Sequence, residues 1–178
     1  ADVTTLAGDF DHTAGQVTFT ALDTADKTVT IALTDDAVVE LSESFTASLA
    51  TTTTLGTRAV VLSDTGTGTV TDNDTATFTI NDQTVDEAAG TLTFTVSLDN
   101  PIDTAVVVDV TYTDVSALAG DFDHTAGQVT FTALDTADKT VTVAITDDAV
   151  VELSETFTAS LATATVLGTR TAVLSDTG

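Results

Sequence analysis

The chain of 178 residues has no cysteine, no tryptophan and no methionine, and a single proline and a single tyrosine. Without cysteine there is no disulfide, no thiolate zinc site and no thiol nucleophile, so the fold must be held by its core, by a metal, or by both. Bases are nearly absent: Lys27, Arg58, Lys139 and Arg170 stand against 28 acids, for a net charge of -24. That balance excludes nucleic acid, whose phosphates demand a positive surface. It equally disfavours docking on anionic lipid. No apolar run approaches the ~20 residues that span a bilayer, so membrane insertion is not expected. No signal peptide is visible, and the chain opens in mid-pattern, as a segment of something longer would.

What is present points to strands. Hydrophobic residues make up 42% of the chain, enough for a packed core, and 43 residues are threonine. β-Branched side chains restrict their own rotamers and sit well on a pleated surface. Acids spread for solubility or for a saline habitat would be scattered, but here many are clustered.

The chain repeats itself. Residues 1–66 align with residues 113–178 at a constant offset of 112, without a gap and with 56 identities. Gly8-Asp9-Phe10-Asp11-His12 returns as Gly120-Asp121-Phe122-Asp123-His124. One repeat is thus the size of one β-sandwich domain, and near-identical copies suit a long array. The polar break Asp72-Asn73-Asp74 marks the boundary. Residues 1–74 are read as the later part of one repeat. Residues 75–178 are read as a nearly complete second repeat lacking its last strand.

Period-two alternation runs throughout. Leu92, Phe94, Val96 and Leu98 share one face, as do Val106, Val108, Val110 and Tyr112, and Val141, Val143 and Ile145. Thr and Ser occupy the opposite face. Asp99-Asn100-Pro101, Thr125-Ala126-Gly127 and Leu167-Gly168 punctuate the runs. The expected fold is all-β, an Ig-like antiparallel β-sandwich of about seven strands per repeat.

Four carboxylates crowd one inter-strand loop: Asp147, Asp148, Glu152 and Glu155. No base lies nearby in sequence, so the loop either splays into water or gathers around a cation. Calcium takes six to eight oxygens in flexible geometry. Zinc and copper prefer His or Cys, and magnesium keeps its waters. Further acids stand where strands should end: Asp86-Glu87, Asp121, Asp123, Asp72 and Asp74. Loops at one pole of a sandwich converge, and so would these.

In this pattern the chain resembles the Calx-β family, the calcium-binding sandwich domain of sodium/calcium exchangers, integrin β4 and many bacterial surface proteins. The resemblance rests on Val85-Asp86-Glu87-Ala88-Ala89-Gly90, then Gly-Asp-Phe-Asp, then Val129-Thr130-Phe131. The Lys-Thr-Val-Thr-Val strand, the Asp-Asp loop with its two Glu residues, and the closing Asp-Asn-Asp complete it. The resemblance implies Ca2+ ligands. In the second repeat these are Glu87, Asp121 or Asp123, Asp147, Asp148, Glu152 and Glu155. In the first they are Asp9 or Asp11, Asp35, Asp36, Glu40, Glu43, Asp72 and Asp74. The first repeat's entry glutamate is expected upstream of residue 1, and the second repeat's closing triplet beyond residue 178.

The expected function is a calcium-binding structural repeat. It would be a spacer or stalk of an extracellular, cell-surface bacterial adhesin-type protein, rigidified by calcium at the joint between repeats. A regulatory sensor would use the same residues, but near-identical copies suit a spacer better. The expected partners are neighbouring repeats. The rival is a filament or surface-layer subunit in which identical chains exchange strands. An enzyme is not expected. Paired carboxylates suggest glycoside hydrolysis, but no tryptophan and one tyrosine leave no sugar platform. His12 and His124 read as exposed turn residues, and Thr51 to Thr54 as a polar loop.

Overall fold

The computed structural model describes residues 8–118, 120–174 and 178. They fall into two compact units, Ala1–Asp36 with Ser42–Thr71 and Ala37–Leu41 with Asp72–Gly178. Among the described residues no helix is long and apolar enough to cross a membrane.

The first unit contains two strands among its described residues, β1 (Glu43–Ser48) and β2 (Thr65–Val70). They pair antiparallel, with Ala47 opposite Gly66, Phe45 opposite Gly68 and Glu43 opposite Val70. Gly68 is required here, because a Cβ at that position would collide with the Phe45 ring. That ring stacks on Phe10 at 4.4 Å. Phe10 in turn bridges Leu33, with the Asp11 N–H donating to Ala32 O (2.9 Å) and the Thr34 N–H to Asp9 O (2.8 Å). The stretches 15–19 and 27–32, which repeat the sequences of residues 127–131 and 139–144 almost unchanged, form no strand. Alternation supplies a face to bury, but a strand also needs a neighbour to take its N–H and C=O groups. Phe19 and Val29 consequently stay 57% and 53% exposed.

Among its described residues the second unit carries seven strands in two sheets. These are β3 (Thr75–Ile80), β4 (Thr91–Leu98), β5 (Val106–Asp114), β6 (Gly127–Phe131), β7 (Lys139–Ala144), β8 (Phe157–Ala162) and β9 (Thr171–Leu174). One sheet has the order β7-β4-β3-β9 and the other β6-β5-β8. All pairs are antiparallel except β3 with β9, which run parallel from Thr75↔Thr171 to Phe78↔Leu174.

The alternation read from the sequence becomes burial. Leu92, Phe94, Val96 and Leu98 on β4 and Val106, Val108 and Val110 on β5 are all buried, with Thr93, Thr95 and Ser97 between them on the outer face of β4 and Val107 and Asp109 on that of β5. Each such side chain stabilises the fold by about 1.5–3 kcal/mol on full burial. Rings link the two sheets: Phe78 of β3 meets Phe131 of β6 edge-on at 5.3 Å, and Phe94 of β4 meets Phe157 of β8 at 6.0 Å. The short segment Ala37–Leu41 belongs to this core through Val39, which is fully buried. Val39 bridges Ile102 in parallel, donating to Pro101 O (2.8 Å) and accepting from the Asp103 N–H (3.2 Å). Arg170 forks onto both carboxylate oxygens of Asp103, so this base is committed there.

Candidate metal centre

The acids of the second unit are gathered by three backbone clamps on the end of β7. The Ile145 N–H donates to Gly90 O (2.9 Å), which holds the Glu87 turn against the strand end. The Thr146 N–H donates to Asp121 O (2.8 Å), and the Asp123 N–H donates to Ala144 O (2.9 Å). These two, with the Phe122↔Ile145 bridge, fix the Gly-Asp-Phe-Asp turn beside the same end. The Asp147–Glu155 loop leaves from that point. Sequence separations of up to 55 residues, from Gly90 to Ile145, are thus closed by main-chain hydrogen bonds rather than by the acids, which repel one another.

Glu87 sits in a single turn of 3-10 helix, Glu87–Ala89. Asp86 caps it by accepting from the Ala88 N–H (3.0 Å), and Gly90 ends it at φ 71°, a left-handed value that glycine adopts without strain. One carboxylate oxygen each of Asp121, Glu152 and Glu155 lies within 4.8 Å of the others. Glu87 shares this environment. Its carboxyl is pushed up first by desolvation and then by the charges of Asp147, Asp148 and Glu152. Glu155 is pushed up first by its hydrogen bond with Asp121, then by desolvation and the charges of Asp121, Glu152 and Glu87. Raised carboxyl groups mark negative charge that no base offsets. The lysines and Arg170 are engaged elsewhere: Lys27 with Asp23, Lys139 with Asp135, each at 2.7 Å, and Arg170 with Asp103.

This donor set fits calcium. It offers oxygen alone, from flexible loops, in a cleft of about 850 Å³ that Glu87, Asp121, Asp148, Glu152 and Glu155 line. Asp82, which the sequence reading passed over, lines it too. Its signal was an acid just beyond a strand end.

The other expected ligands are placed as follows. Asp123 accepts from the Thr125 N–H (2.9 Å), and hydrogen bonds from the Thr125 side chain first and its N–H second lower its pKa. Of Asp121 and Asp123, Asp121 therefore joins the cluster. Asp148 accepts from the Val150 N–H (2.6 Å), and both Asp147 and Asp148 are exposed. In the first repeat, Asp9, Asp11, Asp35, Asp36 and Glu43 belong to one unit, and Glu40, Asp72 and Asp74 to the other. Asp11 repeats the behaviour of Asp123, accepting from the Thr13 N–H (2.8 Å). Asp35 and Asp36 are exposed, and Asp9 and Glu43 half-buried. Asp72 bridges two main-chain groups, accepting from the Glu40 N–H and from the Asp74 N–H, each at 3.0 Å.

The Calx-beta domain family model matches residues 2–82 and again residues 71–177. The chain belongs to the Calx-β family. That family comprises calcium-binding β-sandwich modules. Among solved structures, the crystal structure of CBD12 from CALX1.2 is similar, at 21% identity and a TM-score of 0.42. The match covers 74% of this Calx-β chain and 52% of that one, so this chain spans about half the length of the solved structure. A comparison with the curated proteins finds no match.

Proposed function

We propose that this Calx-β chain is a calcium-binding structural repeat without enzymatic activity, a spacer or stalk element of an extracellular bacterial adhesin-type protein. The observation that carries the calcium assignment is the meeting of Asp121, Glu152 and Glu155 within 4.8 Å, beside a Glu87 whose carboxyl is pushed up. Calcium relieves that repulsion in the folded state alone, so binding stabilises the fold and stiffens an array of repeats. The near-identity of the copies supports a spacer over a switch.

Thermal unfolding in millimolar calcium and in chelator tests this. At a hundredfold excess over Kd, calcium adds about 2.7 kcal/mol, a rise of roughly 5–10 °C, and magnesium gives less. Asp147→Ala with Asp148→Ala abolishes much of the rise and leaves the chelator value unchanged or higher. Superimposable curves with and without calcium would end the assignment.

A second reading, exchange of strands between identical chains into a filament, draws on the exposed Phe19, Val29 and Val61 of the first unit. It ranks lower. Each chain carries one β3–β5 segment, whereas residues 1–66 and 113–178 have the same pairing needs. Sedimentation at rising concentration separates the two, since the filament requires growth.

A further inference from the structure

Five residues of the second unit, Ala37–Leu41, come from a loop whose flanks belong to the first unit. The same five residues recur as Ala149–Leu153, and the two copies differ in what covers them. Val39 is 0% exposed and Val151 99%, and Leu41 is 41% exposed and Leu153 90%. The loop sequence therefore does not bury its own valine. The burial of Val39 is supplied by the surface it meets.

That surface offers a partner to each residue in turn. Val39 lies opposite Ile102, donating to Pro101 O (2.8 Å) and accepting from the Asp103 N–H (3.2 Å). The Glu40 N–H donates to a carboxylate oxygen of Asp72 (3.0 Å). Leu41 lies against Gly168, where a Cβ would come within 2.8 Å of its Cδ2. At Gly56, the counterpart of Gly168, a Cβ would meet nothing within 4 Å. The Arg170 guanidinium is pushed up first by its hydrogen bond to Asp103, and the charges of Asp103 and Glu40 add to this.

We propose that the Pro101–Asp103 stretch, with Asp72, Gly168 and Arg170, is a docking site for the segment Ala-Val-Val-Glu-Leu of a repeat's acidic loop. This rests on the reading of the chain as a structural repeat, and not on calcium. The main chain of an extended segment supplies affinity and its alternate side chains supply specificity. Here the second valine packs beside Ile102, the leucine packs on Gly168, and the glutamate between them faces the charge of Arg170. In a chain of net charge -24 with four bases, one base placed here offsets the repulsion that an acidic loop would otherwise meet. Val39 fills the site within the chain. The loop around Val151 carries the same segment with its apolar side chains uncovered, so it is a competent ligand for a vacated site on a second copy.

The chain has no cysteine of its own, so disulfide trapping reads the contact, in chelator throughout. Val39→Cys with Ile102→Cys is expected to close within one chain, at monomer mass. Adding Glu40→Lys to that pair is expected to slow closure about threefold, as loss of an exposed ion pair does. A site vacated by Val39→Asp and carrying Ile102→Cys is then mixed with a second chain carrying Val151→Cys. Dimers are expected to form at least about tenfold faster than with Val166→Cys, in keeping with the burial of one valine, although Val166 is also 90% exposed. Restoring Val39 is expected to remove the difference. Failure of the bond within one chain, or closure indifferent to Glu40→Lys, would overturn the proposal, and both readings stand even where Val39→Asp loosens the fold. Equal dimer rates for the two exposed positions would overturn it as well.

Discussion

Residues 8–66 and their counterparts 120–178 are nearly the same polypeptide in two environments, and they differ in an ordered way. Local features coincide. Leu22 and Leu134 adopt φ 65° and 64°, Lys27 and Lys139 each reach an acid four residues back at 2.7 Å, and His12 and His124 stack on Phe10 and Phe122 at 4.0 and 3.9 Å. Non-local features diverge. Phe131 is 1% exposed and Phe19 57%, and Val141 is 9% exposed and Val29 53%. The second copy has β4 and β5 to pair with, and the described part of the first unit holds no such strands. Short-range hydrogen bonds and ion pairs form wherever their few residues occur. Strands form only where the sheet is completed.

The comparison breaks most visibly at the core. Phe131→Ala is expected to cost the second unit about 3–5 kcal/mol, whereas Phe19→Ala, at an exposed position, costs under about 0.5 kcal/mol. Urea unfolding of the two variants measures this, and equal losses would mean that the first copy is packed after all.

A smaller contrast lies in the acidic loops. Val39 is 0% exposed and its counterpart Val151 is 99% exposed. Val39→Ala removes two buried methyl groups and should cost about 2 kcal/mol, and Val151→Ala nothing measurable.

Acidity sharpens the comparison at the metal pole. The raised carboxyls of Glu87 and Glu155 hold protons in the fold that the unfolded chain has released. Stability without calcium therefore falls as pH rises from the ordinary glutamate range through their folded values. Below that range the lowered Asp123 and Asp135 take protons and stability falls again. In chelator the melting temperature should peak in mildly acidic solution, and calcium should flatten or reverse the decline above it. A decline unaffected by calcium would detach it from the cluster.

The smallest expected effect concerns His124, whose imidazole is pushed up first by its hydrogen bond to Asp114 at 2.5 Å. Its contribution is present in acid and fades as pH rises through the folded value. Asp114→Asn should move its NMR titration midpoint down.

Much of this was legible in the sequence. Alternation in Thr91–Leu98 and Val106–Val110 identified faces that are buried as expected, because the intervening Thr93, Thr95 and Asp109 cannot take the inner side without burying polar groups. The same alternation in residues 15–19 and 27–32 goes with no strand, since period two records what a strand would bury and says nothing of whether a neighbour exists. Acids at strand ends pointed to the pole. Their division of labour did not show. Asp121 and Asp123 are one residue apart from Phe122 on either side, and only the fold reveals that Asp123 is spent on Thr125. Val39 was hidden for the opposite reason: it stands among carboxylates and outside any alternating run, yet it sits in the core.

The parallel pairing of β3 with β9 carries a mechanical consequence. If the second unit is stretched by Thr75 at the start of β3 and by Leu174 at the end of β9, the two strands are drawn in opposite directions along their length. The four rungs from Thr75↔Thr171 to Phe78↔Leu174 are then loaded in shear and must yield together, whereas a hairpin pulled from its open end yields one rung at a time. β3 and β9, laid side by side in this sense, resist tension along their own axis.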